Sequence, residues 1–491
     1  MKTFRTLLAS SLLALAPPIA GLAQPAGAPA SVPAATHATA ICGAGDRPET
    51  GMQGETPLKD IESGRSKSPY YCGMRLVSHT PIGGGAIMRR SRSCVYVATS
   101  AGVRVVDMSN PAAPRPLQLL TDPGAVGSLE SFNALDGADR HILVAGKYSS
   151  ALNSERSPMS IYDISDCRNP VLMSTYYWPG DTHVPSITPD GRFVMMSLPY
   201  GVPGLMVLDV TDLKQPKFVG RFPLLLPRGR QARCHDLSFN AAGTRMYCPG
   251  SVPTEAERES EPGPSVWDIS DLTSGERLEW PPFRFVGEAD VKGQGDHDAP
   301  LATINGKPYL IAGAELGCNI GKADFPTVFD ISDEKNPRKV GEFRLEVMEH
   351  CVSDSTFRAN QKVNYGLHYN SVVQDAWGKV PLGMFSFQSS GLRIVDLRDP
   401  TKPREVAYYH PGAPTGAAAV LPTRPGAPPG TPTVAYSDPC ASHAYFDEAT
   451  HSVWFMCRRG LFVAELTPAV KVYLGVSDAA PARPLGARPP G

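Results

Sequence analysis

The sequence predicts an all-β fold, a seven-bladed β-propeller whose ring is closed by an N-terminal strand. Three observations lead there. One strand–turn–strand unit recurs along the chain, apolar strand-like runs precede its copies, and a segment near the start resembles the strand that the last copy lacks. Self-similarity at a spacing of roughly 45 to 70 residues, with strands between the copies, belongs to propeller blades rather than to a helical solenoid.

The unit is clearest from Thr327 to Phe343, TVFDISDEKNPRKVGEF. Val328 and Asp330 alternate with Phe329 and Ile331 at strand period, and Ser332-Asp333 can bond its own backbone to bend the chain. Pro337 opens the next strand, where a missing N–H costs least. Copies begin at Val103, Ser160, Leu205, Ser265 and Leu392, with acids at Asp107, Asp163, Asp209, Asp268, Asp330 and Asp396. Five of these acids have a proline seven residues later, and Gly275 stands there in the fourth copy. An acid at a turn between strands C and D caps backbone N–H groups more readily than it does chemistry. A truncated seventh copy, LFVAELTP, starts at Leu461.

Strands A and B of each blade are read from the runs upstream. Phe193 to Ser197, Tyr309 to Ala312 and Val453 to Met456 follow turns such as Pro189-Asp-Gly191 and Asn305-Gly306. The blades then run from Gly84 to Thr121, Ser131 to Tyr177, His183 to Phe222 and His235 to Val286, with the last three starting near His297, His368 and His443. The seventh copy has no D strand of its own. Met74 to Thr80 resembles the D strand Lys217 to Pro223, and pairing it with the last blade would remove two bare sheet edges.

The strand C segments LRIVD, LMVLD and VRVVD resemble the LVIVD-repeat proteins, a likeness that covers about Met74 to Val476. It implies a propeller in an exported or cell-envelope setting. It implies no particular chemistry, because fold alone does not carry function.

Five segments are expected: a secretory signal over 1–23, a Pro/Ala/Gly linker over 24–40, an extension over 41–73, the propeller over 74–476 and a disordered tail over 477–491. Lys2 and Arg5, the apolar run Leu7 to Ala16 and small residues at Gly21 and Ala23 make the signal, and Pro17-Pro18 cuts that run too short for a membrane anchor. A periplasmic, secreted or cell-surface location follows. With 47 Lys+Arg against 48 Asp+Glu, the chain has no electrostatic footprint for nucleic acid or an anionic membrane. A monomer is expected, whose partners are a small-molecule substrate or an envelope protein or glycan.

Ten cysteines in an exported chain read as disulfides. Cys234 with Cys248 and Cys440 with Cys457 each flank an A–B hairpin and are the best-placed pairs. Cys42–Cys72 and Cys318–Cys351 are further candidates, which leaves Cys94 and Cys167.

The candidate site is an arc of histidines. His183, His235, His297, His368 and His443 all stand at the first residues of strand A, the innermost strand of a blade, so five consecutive blades aim an imidazole at one axis. Converging imidazoles suit a transition metal, with copper favoured by intrinsic affinity and iron or zinc as alternatives. Asp181, Asp236, Asp296 and Asp298 lie beside these histidines and are candidate orienting acceptors. The same register also suits copied packing residues around a watery channel. Two functions therefore stand side by side: a metal-dependent oxidoreductase working at the channel mouth, and a non-catalytic scaffold that binds protein or glycan through its loop-rich face.

Overall fold

Each copy of the unit forms strands C and D of a four-stranded antiparallel blade. A computed structural model describes residues 40–82, 87–148, 156–180, 182–198, 204–250, 263–274, 282–291, 296–315, 325–360, 363–415 and 437–476. The expected signal, nearly all of the linker and the tail lie outside these residues. Seven blades are built from them, with A strands at Met88–Ser91, Phe132–Asp136, Val184–Ile187, Ser238–Phe239, Leu301–Ile304, Leu367–Ala376 and Tyr445–Asp447. In the fifth blade a short extra strand, Asp296–Asp298, precedes strand A and pairs with the same strand B.

The turn acids act on backbone. Asp107, Asp163, Asp209, Asp268, Asp330 and Asp396 each accept the N–H of the residue two places on, at 2.7 to 3.0 Å. The glycines of the repeated VGE segments have a packing reason. A Cβ on Gly341 would stand 2.3 Å from the Pro400 carbonyl oxygen, and one on Gly287 the same distance from that of Glu334. The next blade's C–D turn therefore rests directly on strand D, and a side chain there would hold the blades apart.

The ring closes as the sequence predicts. Strand β1 (Tyr70–Cys72) adds a fifth strand to the sixth blade, with Tyr70 opposite His410. Strand β2 (Met74–Pro81) then becomes strand D of the seventh, with Met74 opposite Leu466 and Pro81 opposite Gly460. Its ladder carries a register shift between Leu76 and Ser78, as native C–D pairs do between Val328 and Phe329 or Ile394 and Val395. Apolar layers fill every gap between neighbouring blades. The one at closure packs Met88, Val95 and Val97 of the first blade against Trp454, Met456 and Val463 of the seventh. After its last strand the chain turns into a short helix, Pro468–Leu474.

The extension is strapped to the sixth blade through charge as well as backbone. Arg393 is fully buried between Glu49 and Glu405, and Gln53 bonds Glu405 at 2.8 Å. Leaving any one of these charges alone would be costly at that depth. Disulfides join Cys42–Cys72, Cys94–Cys167, Cys234–Cys248 and Cys440–Cys457. The two cysteines left over in the sequence reading thus bond each other, tying the first blade to the second. Cys351 is also disulfide-bonded, while Cys318 lies outside the described residues. The four disulfides among the described residues suggest an oxidising, extracytoplasmic compartment. Among the described residues no helix is long and apolar enough to cross a membrane.

Removing the chain through Thr80 deletes the closing ladder and the strap, so the melting temperature is expected to fall by more than about 10 °C. Deleting only residues 24–39 should leave it unchanged. Thermal unfolding followed by circular dichroism compares the two, and equal melting temperatures would contradict closure.

Candidate metal centre

Because strand A is the innermost strand of every blade, a side chain at its start projects over the channel mouth. His183, His235, His297 and His368 meet there. His183 Nε2 lies 2.8 Å from His235 Nε2, the His235 and His297 rings are 3.6 Å apart between centroids, and His297 and His368 are 4.6 Å apart. His443 does not join them. Arg89, from strand A of the first blade, lies across the axis and holds His443 Nε2 at 2.9 Å, with Asp236 bonded to the same guanidinium at 3.0 Å. Repeat register fixes height and blade, but an arginine from the neighbouring first blade decides where the fifth imidazole goes.

Two carboxylates complete the cluster. Glu130 Oε1 is 3.6 Å from His183 Nε2 and its Oε2 is 3.7 Å from His368 Nε2. Glu315, at the end of strand B of the fifth blade, lies 3.6 Å from His368 Nε2 and 3.9 Å from His297 Nε2. Glu130 with His183 and His235, and Glu130 with His297 and His368, form two sets whose ligand atoms all lie within 4.8 Å of one another. Of the expected orienting aspartates, Asp236 pairs with Arg89 and stands 3.7 Å from His443 Nε2, and Asp298 accepts the Asn370 N–H at 2.9 Å. Asp181 and the Asp296 side chain lie outside the described residues.

Glu130 was legible in principle. It stands two residues before strand A of the second blade, as His443 does before strand A of the seventh, so the repeat slot simply changes from imidazole to carboxylate. Glu315 follows a B strand and has no such signal. Tyr148 lies 5.1 Å from the His183 ring and bonds Glu130. The Glu349-His350-Cys351 segment is on a helix, Glu346–Ser353, where His350 is about half exposed.

The electrostatics favour neutral imidazoles. His183 is pushed down to about 3, first by burial and then by His368. His235, His297 and His443 are pushed well below the ordinary range, again mainly by burial. Glu130 is raised to about 7 by burial. His368 Nδ1 donates to the Ala441 carbonyl at 2.5 Å, and its Nε2 points at Glu130 and Glu315. His297 is 4 % exposed, and among the described residues its ring meets only the His368 backbone, while His235 Nδ1 lacks a hydrogen-bond partner there. Orphaned buried nitrogens cost about 1 to 3 kcal/mol each, a cost that ligation would relieve.

Comparison with the protein-family models matches residues 94–116, strands B and C of the first blade and the start of D, to the LVIVD repeat. Comparison with curated proteins finds no match. Among solved structures, the chain is similar to the β-propeller domain of Cps50 (Swd1) from Myceliophteria thermophila, with 10% identity, a TM-score of 0.48, and 79% of this chain and 99% of that one covered. It is also similar to Sqt1 of Chaetomium thermophilum, with 12% identity, a TM-score of 0.44 and 76% and 79% covered.

Metal-free protein is expected to gain stability as pH rises from about 3 to 6.5. Across that window His183 stays neutral in the folded chain while the unfolded chain binds a proton, as do the other depressed histidines and His410, pushed down to about 3 by burial. Each contributes a slope of up to about 1.4 kcal/mol per pH unit. Glu130 opposes them between its ordinary value and about 7, since the folded protein keeps a proton that the unfolded chain releases. Glu405, Asp438 and Glu448, also raised mainly by burial, act in the same sense as Glu130, but the lowered histidines outnumber these carboxyls, so the melting temperature should fall between pH 6.5 and 4.5. His297→Gln should flatten the curve, and a profile that is flat for the unmodified chain would contradict the neutral cluster.

Proposed function

We propose that this LVIVD propeller is an exported metalloprotein in which His183, His235, His297 and His368, with Glu130, hold one transition metal ion at the channel mouth. His297 carries the reading: a buried imidazole with no side-chain hydrogen-bond partner among the described residues, beside His183 and His235 that burial also keeps neutral, is ready to ligate without first losing a proton. Copper remains favoured by affinity, and the carboxylate of Glu130 makes iron or zinc a fitting occupant as well.

The activity this arrangement supports best is that of a metal-dependent oxidoreductase acting on a small molecule, with the ion supplying one-electron or Lewis-acid chemistry. The surrounding residues have separable tasks. Tyr148 donates to Glu130 and fixes its orientation, and the Ala441 carbonyl fixes the His368 ring. Glu315 is about one-third exposed and stands on the open side of the cluster, where it can take up a proton from a bound reactant. Arg89 keeps His443 back, which limits the number of protein ligands and leaves room for such a reactant. A periplasmic, secreted or surface location accords with the disulfides, and a monomeric state belongs to the same reading.

Protein purified without chelator is expected to carry one transition metal ion per chain. His297→Ala and Glu130→Gln should each weaken binding by about tenfold or more, whereas His350→Ala, on the exposed helix, should not. Equilibrium dialysis with elemental analysis measures all three. No stoichiometric metal, together with equal affinity in all variants, would make the cluster structural and leave the scaffold reading.

A further inference from the structure

The ligands at the channel mouth divide into two sets that share one residue. Glu130 with His183 and His235 makes the first, Glu130 with His297 and His368 makes the second, and within each set the ligand atoms lie within 4.8 Å of one another. The two oxygens of Glu130 face different histidines. Oε1 stands 3.6 Å from His183 Nε2, and Oε2 stands 3.7 Å from His368 Nε2. In the first set the Nε2 atoms of His183 and His235 approach to 2.8 Å, so two imidazoles already present nitrogens at one point. In the second, Glu315 adds a carboxylate 3.6 Å from His368 Nε2 and 3.9 Å from His297 Nε2. His235 and His297 lie where the two halves meet, with ring centroids 3.6 Å apart. Both are buried, and among the described residues His235 Nδ1 has no hydrogen-bond partner and His297 has none from a side chain.

An ion such as zinc holds nitrogen and oxygen ligands at about 2.0 to 2.2 Å, so two ligands of one ion are separated by at most about 4.4 Å. A carboxylate whose oxygens face different pairs of imidazoles can serve one ion with one oxygen, or two ions with both. Paired ions about 3.5 to 4 Å apart are a recurring catalytic arrangement. Neutral imidazoles add no charge of their own, and the carboxylates of Glu130 and Glu315 offset part of the repulsion between two cations. We propose that the cluster is a two-ion centre bridged by Glu130, one ion taking His183, His235 and Oε1 and the other His297, His368 and Oε2. This deepens the reading of the cluster as a metal centre and rests on it. The ion expected in purified protein enters first, and the second is taken up from added metal, whereupon the histidines divide two and two. A small molecule bound between the ions is polarised from two sides.

The test is zinc chloride titrated into the full-length, chelator-treated protein by calorimetry, with bound zinc counted by equilibrium dialysis and elemental analysis. Two zinc ions per chain are expected, the second bound about tenfold or more weakly because it joins a cation. His235→Ala should bring the count down to one, and His350→Ala should leave it at two. Copper(II) gives a reading that needs no variant. At two equivalents the ions couple through Glu130, so the electron paramagnetic resonance signal per copper should fall well below its value at one equivalent. A count of one zinc, or a copper signal that doubles between one and two equivalents, would overturn the two-ion centre and leave the single-ion reading standing. A count of two that His235→Ala preserves and His350→Ala lowers would also overturn it, since the second ion would then sit on the surface. No bound zinc at all would overturn the proposal and the metal-centre reading together.

Discussion

The antiparallel ladder between Met74–Pro81 and Gly460–Leu466 is the constraint from which the rest follows. A propeller has an axis only when its first and last blades meet, and here the last blade is finished by a strand from the other end of the chain. Without it the apolar layer of Met88 and Val97 on one side and Trp454 and Val463 on the other would lie open. The cost would exceed one interface. Histidines supplied by four separate blades point at one place only while those blades share an axis. The strap that follows blade six, with Arg393 buried between Glu49 and Glu405, holds the closing strand's approach in place.

Burial then gives the cluster its character. Imidazoles at the channel mouth are surrounded by protein on all sides but one, so protonating them is unfavourable and their lone pairs stay available. The same burial raises Glu130, which is best relieved by a cation close to its oxygens.

Much of this was legible in the sequence because it is written in repeats. Asp107, Asp330 and their counterparts gave the blade register, and the missing strand after Leu461 identified Met74 to Thr80 as its replacement. The cysteine pairs that flank hairpins followed from local geometry, while Cys94–Cys167 spans two blades and needed the packed structure. In the site, register brought four histidines together, while the fifth, His443, is held by Arg89, because a side chain's direction also depends on which neighbour it meets. Arg89 is an unremarkable residue of an edge segment until the ring closes and places it against His443. Glu130 occupies the histidine slot under another residue type, which a search for one recurring residue passes over. Glu315 reaches the cluster from a B strand, and nothing local marks it.

The central claim is that closure of the ring assembles a metal centre from separate blades. Anomalous diffraction at the absorption edge of the metal found in natively purified protein addresses it directly. The account predicts a single strong peak per chain among His183, His297, His368 and Glu130, within ligand distance of at least three of them. A peak at the exposed His350 or elsewhere on the surface, or no peak in protein of confirmed occupancy, would contradict it.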